Sequence, residues 1–201
     1  GSNQEITRLI DINYPLLDFV NLYEVASDNR LKLVMESGDS RNLSTRQFKH
    51  SNHVASLRLQ PAISTQYIIK INSNAPVHAQ LILWSVDEFQ NHYRNTASFD
   101  FFYLGLIFSI ALFNFFIFIF IKEWVYFTYS LYAIFFALLV ASLKAILFEY
   151  AYPDSPGFHN WSLLFFGVAS MSTTALFNYF FLKLTPDKLG GKVLILFMLL
   201  P

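Results

Sequence analysis

Three stretches of this chain are too long and too free of charge to be buried inside a soluble domain. Phe101–Ile121 supplies 21 residues without a charge, Trp124–Leu143 supplies 20 and Trp161–Leu182 supplies 22. A helix crossing about 30 Å of hydrocarbon needs roughly 20 such residues. Lipid offers no hydrogen bonds, so an isolated apolar run of this length must satisfy its backbone internally, as a helix does. A further apolar stretch begins at Val193 and reads as the start of a fourth span, cut off at Pro201. The expectation is a parent protein that extends past both ends, with at least four spans. Gly1 and Ser2 have the character of a cloning scar.

Charge divides the chain in two. Residues 1–100 hold 9 Lys/Arg and 10 Asp/Glu, whereas residues 101–201 hold 5 Lys and 4 Asp/Glu. The first half has the charge of a soluble domain and the second that of a membrane domain. With no net charge and no basic run, nucleic-acid binding is not expected. The absence of Cys removes disulfides and thiolate metal sites. Orientation follows the positive-inside rule. Lys122 follows the first run, and Lys183, Lys188 and Lys192 follow the third. The loop Glu149–Asn160 carries Glu149 and Asp154 but no Lys or Arg. The loops after spans 1 and 3 are therefore assigned to the cytoplasm and the first 100 residues to the outside. Lys144, at the outer end of span 2, would snorkel or pair with Glu149. Trp124, Trp161, Tyr126, Tyr150 and Tyr152 sit where interfacial aromatics belong.

Residues 6–84 show period-2 alternation instead of a helical stripe. Leu31, Leu33 and Met35 alternate with Lys32, Val34 and Glu36. Tyr67, Ile69 and Ile71 alternate with Ile68, Lys70 and Asn72. Ala79, Leu81 and Leu83 alternate with Gln80, Ile82 and Trp84, and Val20, Leu22 and Glu24 mark a fourth strand. Ser27-Asp28-Asn29, Ser37-Gly38-Asp39, Gln60-Pro61 and Asn72-Ser73-Asn74 separate them as turns. About six short strands in this span predict an incomplete β-sandwich or jelly roll with unpaired edges. The fold class is thus α+β in two parts: a β-domain over 1–84, a juxtamembrane helix over 85–100, and an all-α membrane bundle over 101–201. Its spans are placed at about 101–121, 124–147, 161–182 and 193 onward.

Ser85 and Glu88 form a capping box, in which each side chain satisfies the other's free backbone donor. No Pro or Gly follows before Gly105. A helix begun at Ser85 can therefore run unbroken to Ile121, roughly 55 Å at 1.5 Å per residue. The alternative is a short helix with a flexible joint near Thr96–Ser98.

These segments resemble a known family. Asn13-Tyr14-Pro15-Leu16-Leu17-Asp18-Phe19-Val20-Asn21-Leu22-Tyr23 is similar to a "YPLLD-x-V-x-LY" strand in the extracellular domain of seven-transmembrane receptors with diverse intracellular signalling modules. Leu81-Ile82-Leu83-Trp84 resembles that domain's closing "L-x-LW". Leu112–Phe118 resembles "LYNLFLF", Tyr126–Tyr132 resembles "YLYY-x-LY", and Tyr152-Pro153-Asp154-Ser155-Pro156 resembles "WPDSP" with Tyr in place of Trp, followed by Asn160. The resemblance covers nearly the whole chain. It implies a carbohydrate-binding-like jelly roll, seven spans and a cytoplasmic output module such as a histidine kinase, a diguanylate cyclase, another cyclase or a phosphatase. It also admits a homodimer. The implied location is a bacterial inner membrane with the N-terminal domain periplasmic.

Candidate sites follow from residue type. Tyr14, Tyr67 and Trp84 are the aromatics that could stack on a sugar, although aromatic residues more often fill a sandwich core. Asn114 and Asn178 are expected to hydrogen-bond across helices. Ser85 and Glu88 cap the signal helix. His50 and His53 read as surface residues of a polar loop, since a metal site needs three or four converging ligands; His78 and His92 lie elsewhere. No metal or cofactor is expected. Nucleophile elbows, phosphate loops, zinc-protease pairs and kinase signatures are absent, so no catalytic constellation is assigned. The reading is a signalling receptor whose partners are the bilayer, a small ligand (carbohydrate as a candidate), and its own output module. The alternatives are a transporter or channel subunit, for which mid-membrane ionisable residues are lacking, and a membrane-anchored binding module without output.

Overall fold

The computed structural model describes residues 5–60, 63–74, 77 and 79–184. The expected fourth span, the loop Thr185–Gly191, His78, Lys188, Lys192 and the Gly1-Ser2 pair lie outside the described residues. Among the described residues there are six strands, a short 3-10 turn at Leu43–Thr45 and four helices. Its two compact units are Gly1–Ala97 with Leu143–His159, and Ser98–Ser142 with Asn160–Pro201.

The first unit is built on β1 (Ile6–Asn13), β2 (Phe19–Val25), β3 (Leu31–Ser37), β4 (His53–Leu59), β5 (Gln66–Asn72) and β6 (Gln80–Trp84). They form two antiparallel three-stranded sheets, ordered β4-β1-β6 and β3-β2-β5. Ile12, Ala55 and Leu57 from one sheet meet Leu17, Val20, Leu22 and Met35 from the other in a single apolar core. The pleat puts alternate residues on one face, which explains why Tyr67, Ile69 and Ile71 of β5 all pack inward. In β3 a bulge opposite Leu22/Tyr23 shifts the register. Met35 stays in the core, whereas Leu31 and Leu33, expected beside it, are exposed. One extra residue turns the strand over. Leu81 and Leu83 of edge strand β6 are likewise exposed.

The Leu17-Asp18 turn has a clear physical role. Leu17 is fully buried, and its carbonyl accepts from the Asp39 N–H at 2.8 Å. One Asp18 oxygen accepts from the Ser40 hydroxyl, and the other accepts from the Ser73 hydroxyl and the Asn74 N–H at 2.7 Å. The carboxylate thus fastens three turns at one end of the sandwich.

Helix α1 runs without interruption from Val86 to Ile121, 36 residues, or about 54 Å. The Ser85 N–H and hydroxyl donate to the Glu88 carboxylate, and the Glu88 N–H donates back to the Ser85 hydroxyl. Phe89 in its first turns packs on Leu9, Val54 and Trp84, covering the outer face of the β4-β1-β6 sheet.

Helix α2 spans Trp124–Leu143, α3 spans Ile146–Tyr150 and α4 spans Pro156–Phe181. Helix α2 stops at Leu143 instead of continuing to 147, because Ala145 adopts a left-handed φ of 53° and starts α3 separately. Pro156 occupies the first position of α4, where its missing N–H costs nothing. Helices α1, α2 and α4 are long and apolar enough to cross a membrane. Inside the second unit the Ser130 hydroxyl donates across to the Ala111 carbonyl at 2.8 Å, both residues being buried. Asn114 and Asn178, expected to make such bonds, instead donate to Ile110 and Thr174 of their own helices. A short side chain beside a small residue lets two backbones approach, whereas the longer amide reaches back along its own turn. Ser130→Val is expected to weaken the bundle by about 0.6–1 kcal/mol, read from unfolding in mixed micelles.

Candidate functional site

Two features of the first unit can do something chemical. The first is a cleft of about 500 Å³ at the β3 and β4 side of the sandwich. Its lining comes mainly from β2, β3, β4 and β5 and from the residues between β4 and β5. Lys32, Glu24, Arg58, Ser56 and Tyr67 line it together with Ile63. Lys32 and Glu24 sit opposite each other across β2 and β3, with their charged ends 3.9 Å apart. Tyr67 presents a half-buried ring between the apolar core and these polar groups. The volume suits a small polar molecule.

Tyr14 and Trp84, the other two aromatic candidates, are not in this cleft. Tyr14 packs against the sandwich core. Trp84 lies with Leu9, Val54 and Phe89 on the opposite sheet face and stacks on His92 at 4.8 Å. Of the three, Tyr67 is the one that lines this cleft.

The second feature centres on Arg46, which is 7% exposed. Its guanidinium donates to the backbone carbonyls of His50 at 2.8 Å, Ser51 at 3.2 Å and Gly38 at 2.6 Å. It also lies over the Phe148 ring at 5.6 Å. The planar fork suits this task, with several donors held in one geometry. Burial pushes its pKa down to about 10, with Asp39 and Glu149 pulling the other way, so it remains charged near neutral pH. Asp39, also buried and beside Asp18, is pushed up to about 6.

Phe148 brings the connection between α2 and α4 into the β-domain. It is fully buried with Leu43 and Ala145, and Tyr152 packs on this cluster. The Leu43 N–H donates to the Pro153 carbonyl at 2.8 Å, and the Ser44 N–H to the Asp154 carboxylate. Glu149 completes the contact. Its carboxylate accepts the Ser51 N–H at 3.0 Å and the hydroxyl of Tyr93 on α1, which is also 3.0 Å from the Tyr150 hydroxyl. One carboxylate therefore joins a β-domain loop, α1 and α3. The WPDSP-like segment, expected only as an outer loop, is an integral part of the first unit.

His50 and His53 are both buried, a correction to their reading as surface residues. The His50 ring lies 4.5 Å from Tyr93 and 5.4 Å from Phe89, and its Nδ1 accepts the Asn52 N–H. His53 begins β4 and shares a hydrogen bond of 2.7 Å with Ser37. Desolvation, then the Arg46 charge, holds His50 down at about 4 and His53 at about 3. Between these values and the ordinary 6.5 the unfolded chain binds more protons, so stability falls as pH drops. Asp39 acts oppositely between 3.8 and 6, but two histidines with larger shifts outweigh it. Acidification from pH 6.5 to 4.5 is expected to destabilise the first unit by on the order of 2 kcal/mol, seen as a falling melting temperature that His50→Gln flattens in part. No group of three or more potential metal ligands occurs among the described residues.

Comparison with known families matches this architecture. Residues 1–85 match the model described as 7TMR-DISM extracellular 2, and residues 96–200 match 7TM diverse intracellular signalling. No curated protein and no solved structure matches the chain. An extracellular domain followed by several apolar helices makes this a multi-pass membrane protein with an outer N-terminal domain. The chain belongs to the seven-transmembrane receptors with diverse intracellular signalling, of which it carries an extracellular sensor domain and membrane-domain sequence.

Proposed function

We propose that the β-domain takes a small ligand into the β3–β4 cleft and passes its binding to the membrane helices through α1 and the Glu149 junction. The observation that carries this reading is that single carboxylate, shared by Ser51 of the sensor domain, Tyr93 of α1 and the loop between α2 and α4. A ligand that favours one arrangement of Leu43–Ser51 then biases two membrane connections together, and it acts only through its differential affinity for the two arrangements. Carbohydrate is the ligand class we favour, supported by the half-buried Tyr67 ring flanked by charged and hydroxyl groups. The chain itself is read as non-enzymatic, with chemistry assigned to a cytoplasmic output module of the parent, in a bacterial inner membrane and as a homodimer.

Titrating the chain in nanodiscs with a panel of mono- and oligosaccharides tests the ligand reading. At least one sugar should raise the melting temperature, and Tyr67→Ala, whose unliganded melt starts lower because the ring packs on the core, should show no rise with that sugar above its own unliganded value. A panel in which no sugar stabilises the chain would contradict the carbohydrate assignment. Tyr93→Phe tests the junction. Loss of a hydrogen bond to a charged group costs about 1.5–3 kcal/mol. Amide exchange should quicken in both Leu43–Ser51 and Ile146–Tyr150; quickening in neither would reject the junction.

A further inference from the structure

The second unit holds a cleft of its own, about 370 Å³, where the α1–α2 turn meets the end of α4. Lys122, Glu123 and Trp124 line it from one side, and Tyr179, Phe180 and Lys183 from the other. With the sensor domain outside, α1 and α4 both end on the cytoplasmic side, so this cleft lies at the inner headgroup level. We infer that it binds the phosphodiester headgroup of an anionic phospholipid of the inner leaflet.

The chemistry is specific to that class. Lys122 and Lys183 each terminate a helix with a positive φ, 61° and 49°. Gly or Asn is favoured at such a position, since a Cβ there crowds the backbone. Lys122 directly follows α1 and Lys183 lies two residues past α4, and the Lys122 ammonium lies over the Phe118 ring at 5.9 Å, beside the aromatic wall of the cleft. Backbone bonds from the Lys122 N–H to the Phe118 carbonyl and the Lys183 N–H to the Phe180 carbonyl hold the main chain at both positions. Among the described residues no carboxylate lies within ion-pair distance of either lysine. Glu123 leaves the cleft with one net positive charge, which complements a singly charged phosphodiester, and it offers an acceptor to a headgroup hydroxyl. Trp124 stacks near Phe180 at 6.4 Å and beside Phe118 at 5.5 Å, giving the wall an aromatic ledge of the kind that settles at headgroup depth. Basic clefts between membrane helices on the cytoplasmic side are recurrent headgroup sites.

Native mass spectrometry of the chain with equal amounts of phosphatidylglycerol and phosphatidylcholine tests the assignment. Each lysine near the surface should contribute about fivefold, so phosphatidylglycerol should be retained at least tenfold better. Lys122→Gln with Lys183→Gln should abolish the preference, the Arg pair should keep it, and Lys70→Gln in β5 should leave it unchanged. Equal retention of the two lipids, a preference surviving the Gln pair, or its loss in the Arg pair would overturn the site. Millimolar inorganic phosphate distinguishes the two sources of this anion. Displacement of bound phosphatidylglycerol by phosphate would reassign the cleft to a free anion and overturn the lipid reading; no displacement supports it.

Discussion

Arg46→Leu should destabilise the first unit by about 3–5 kcal/mol, the largest single loss expected in this chain. The side chain feeds the carbonyls of Gly38, His50 and Ser51, all at hydrogen-bond distance. Leucine supplies none of these donors. Each carbonyl left without a partner costs about 1–3 kcal/mol where water cannot enter. The loss also removes the cation from the Phe148 face and leaves Asp39 with one favourable charge fewer. Arg46→Lys should recover only part of the loss, since an ammonium keeps the charge but cannot span three acceptors in one plane. Chemical denaturation monitored by tryptophan fluorescence would measure both. A loss below about 1 kcal/mol for Leu would show that water replaces the guanidinium, and the hub would then be unimportant.

Gly38→Ala should cost about 3 kcal/mol or more, from a different physical cause. A Cβ at this position would stand 2.1 Å from the Asp18 carbonyl oxygen and 2.8 Å from its carbon, both backbone atoms. The φ of 146° is itself hostile to any side chain. Neither strand can retreat cheaply, because the Leu17 and Asp18 carbonyls accept the Asp39 and Ser40 N–H groups next to the clash. Gly38 also offers its carbonyl to Arg46. The two substitutions should therefore couple, with the double variant losing less than the sum by about 0.5–3 kcal/mol. Strict additivity would mean that the Gly38 turn and the Arg46 hub act independently.

Much of the membrane half was legible in the sequence because a missing charge is a local signal. Three apolar runs sufficed to place α1, α2 and α4, and Ser85 with Glu88 marked where α1 begins. Strands β2, β3, β5 and β6 also stood out through alternation. Strands β1 and β4 did not, since Asp11, Ala55 and Ser56 dilute the apolar pattern although Asp11 and Ala55 are buried. The β3 bulge was invisible because register depends on the partner strand, not on β3 alone. The functional contacts were hidden for the same reason. Ser51 and Glu149 are 98 residues apart, and Tyr93 and Glu149 are 56 apart. His50 looked like a solvated loop residue because its cover, Phe89 and Tyr93, comes from a helix that the sequence assigned to the membrane connection. The one available hint was the acidic loop itself: Glu149 and Asp154 both turned out to accept sensor-domain N–H groups.

The loop between α2 and α4 belongs to the same compact unit as the outer β-domain. The absence of Cys makes it directly measurable. Ser44→Cys and Asp154→Cys, placed where a backbone N–H now meets a carboxylate, should be bridged by a short membrane-impermeant bis-maleimide added to the outside of intact cells. Mass spectrometry should then find the intrachain link in most molecules. Efficient labelling of each single cysteine without any link, or reaction only after the membrane is broken, would contradict the account.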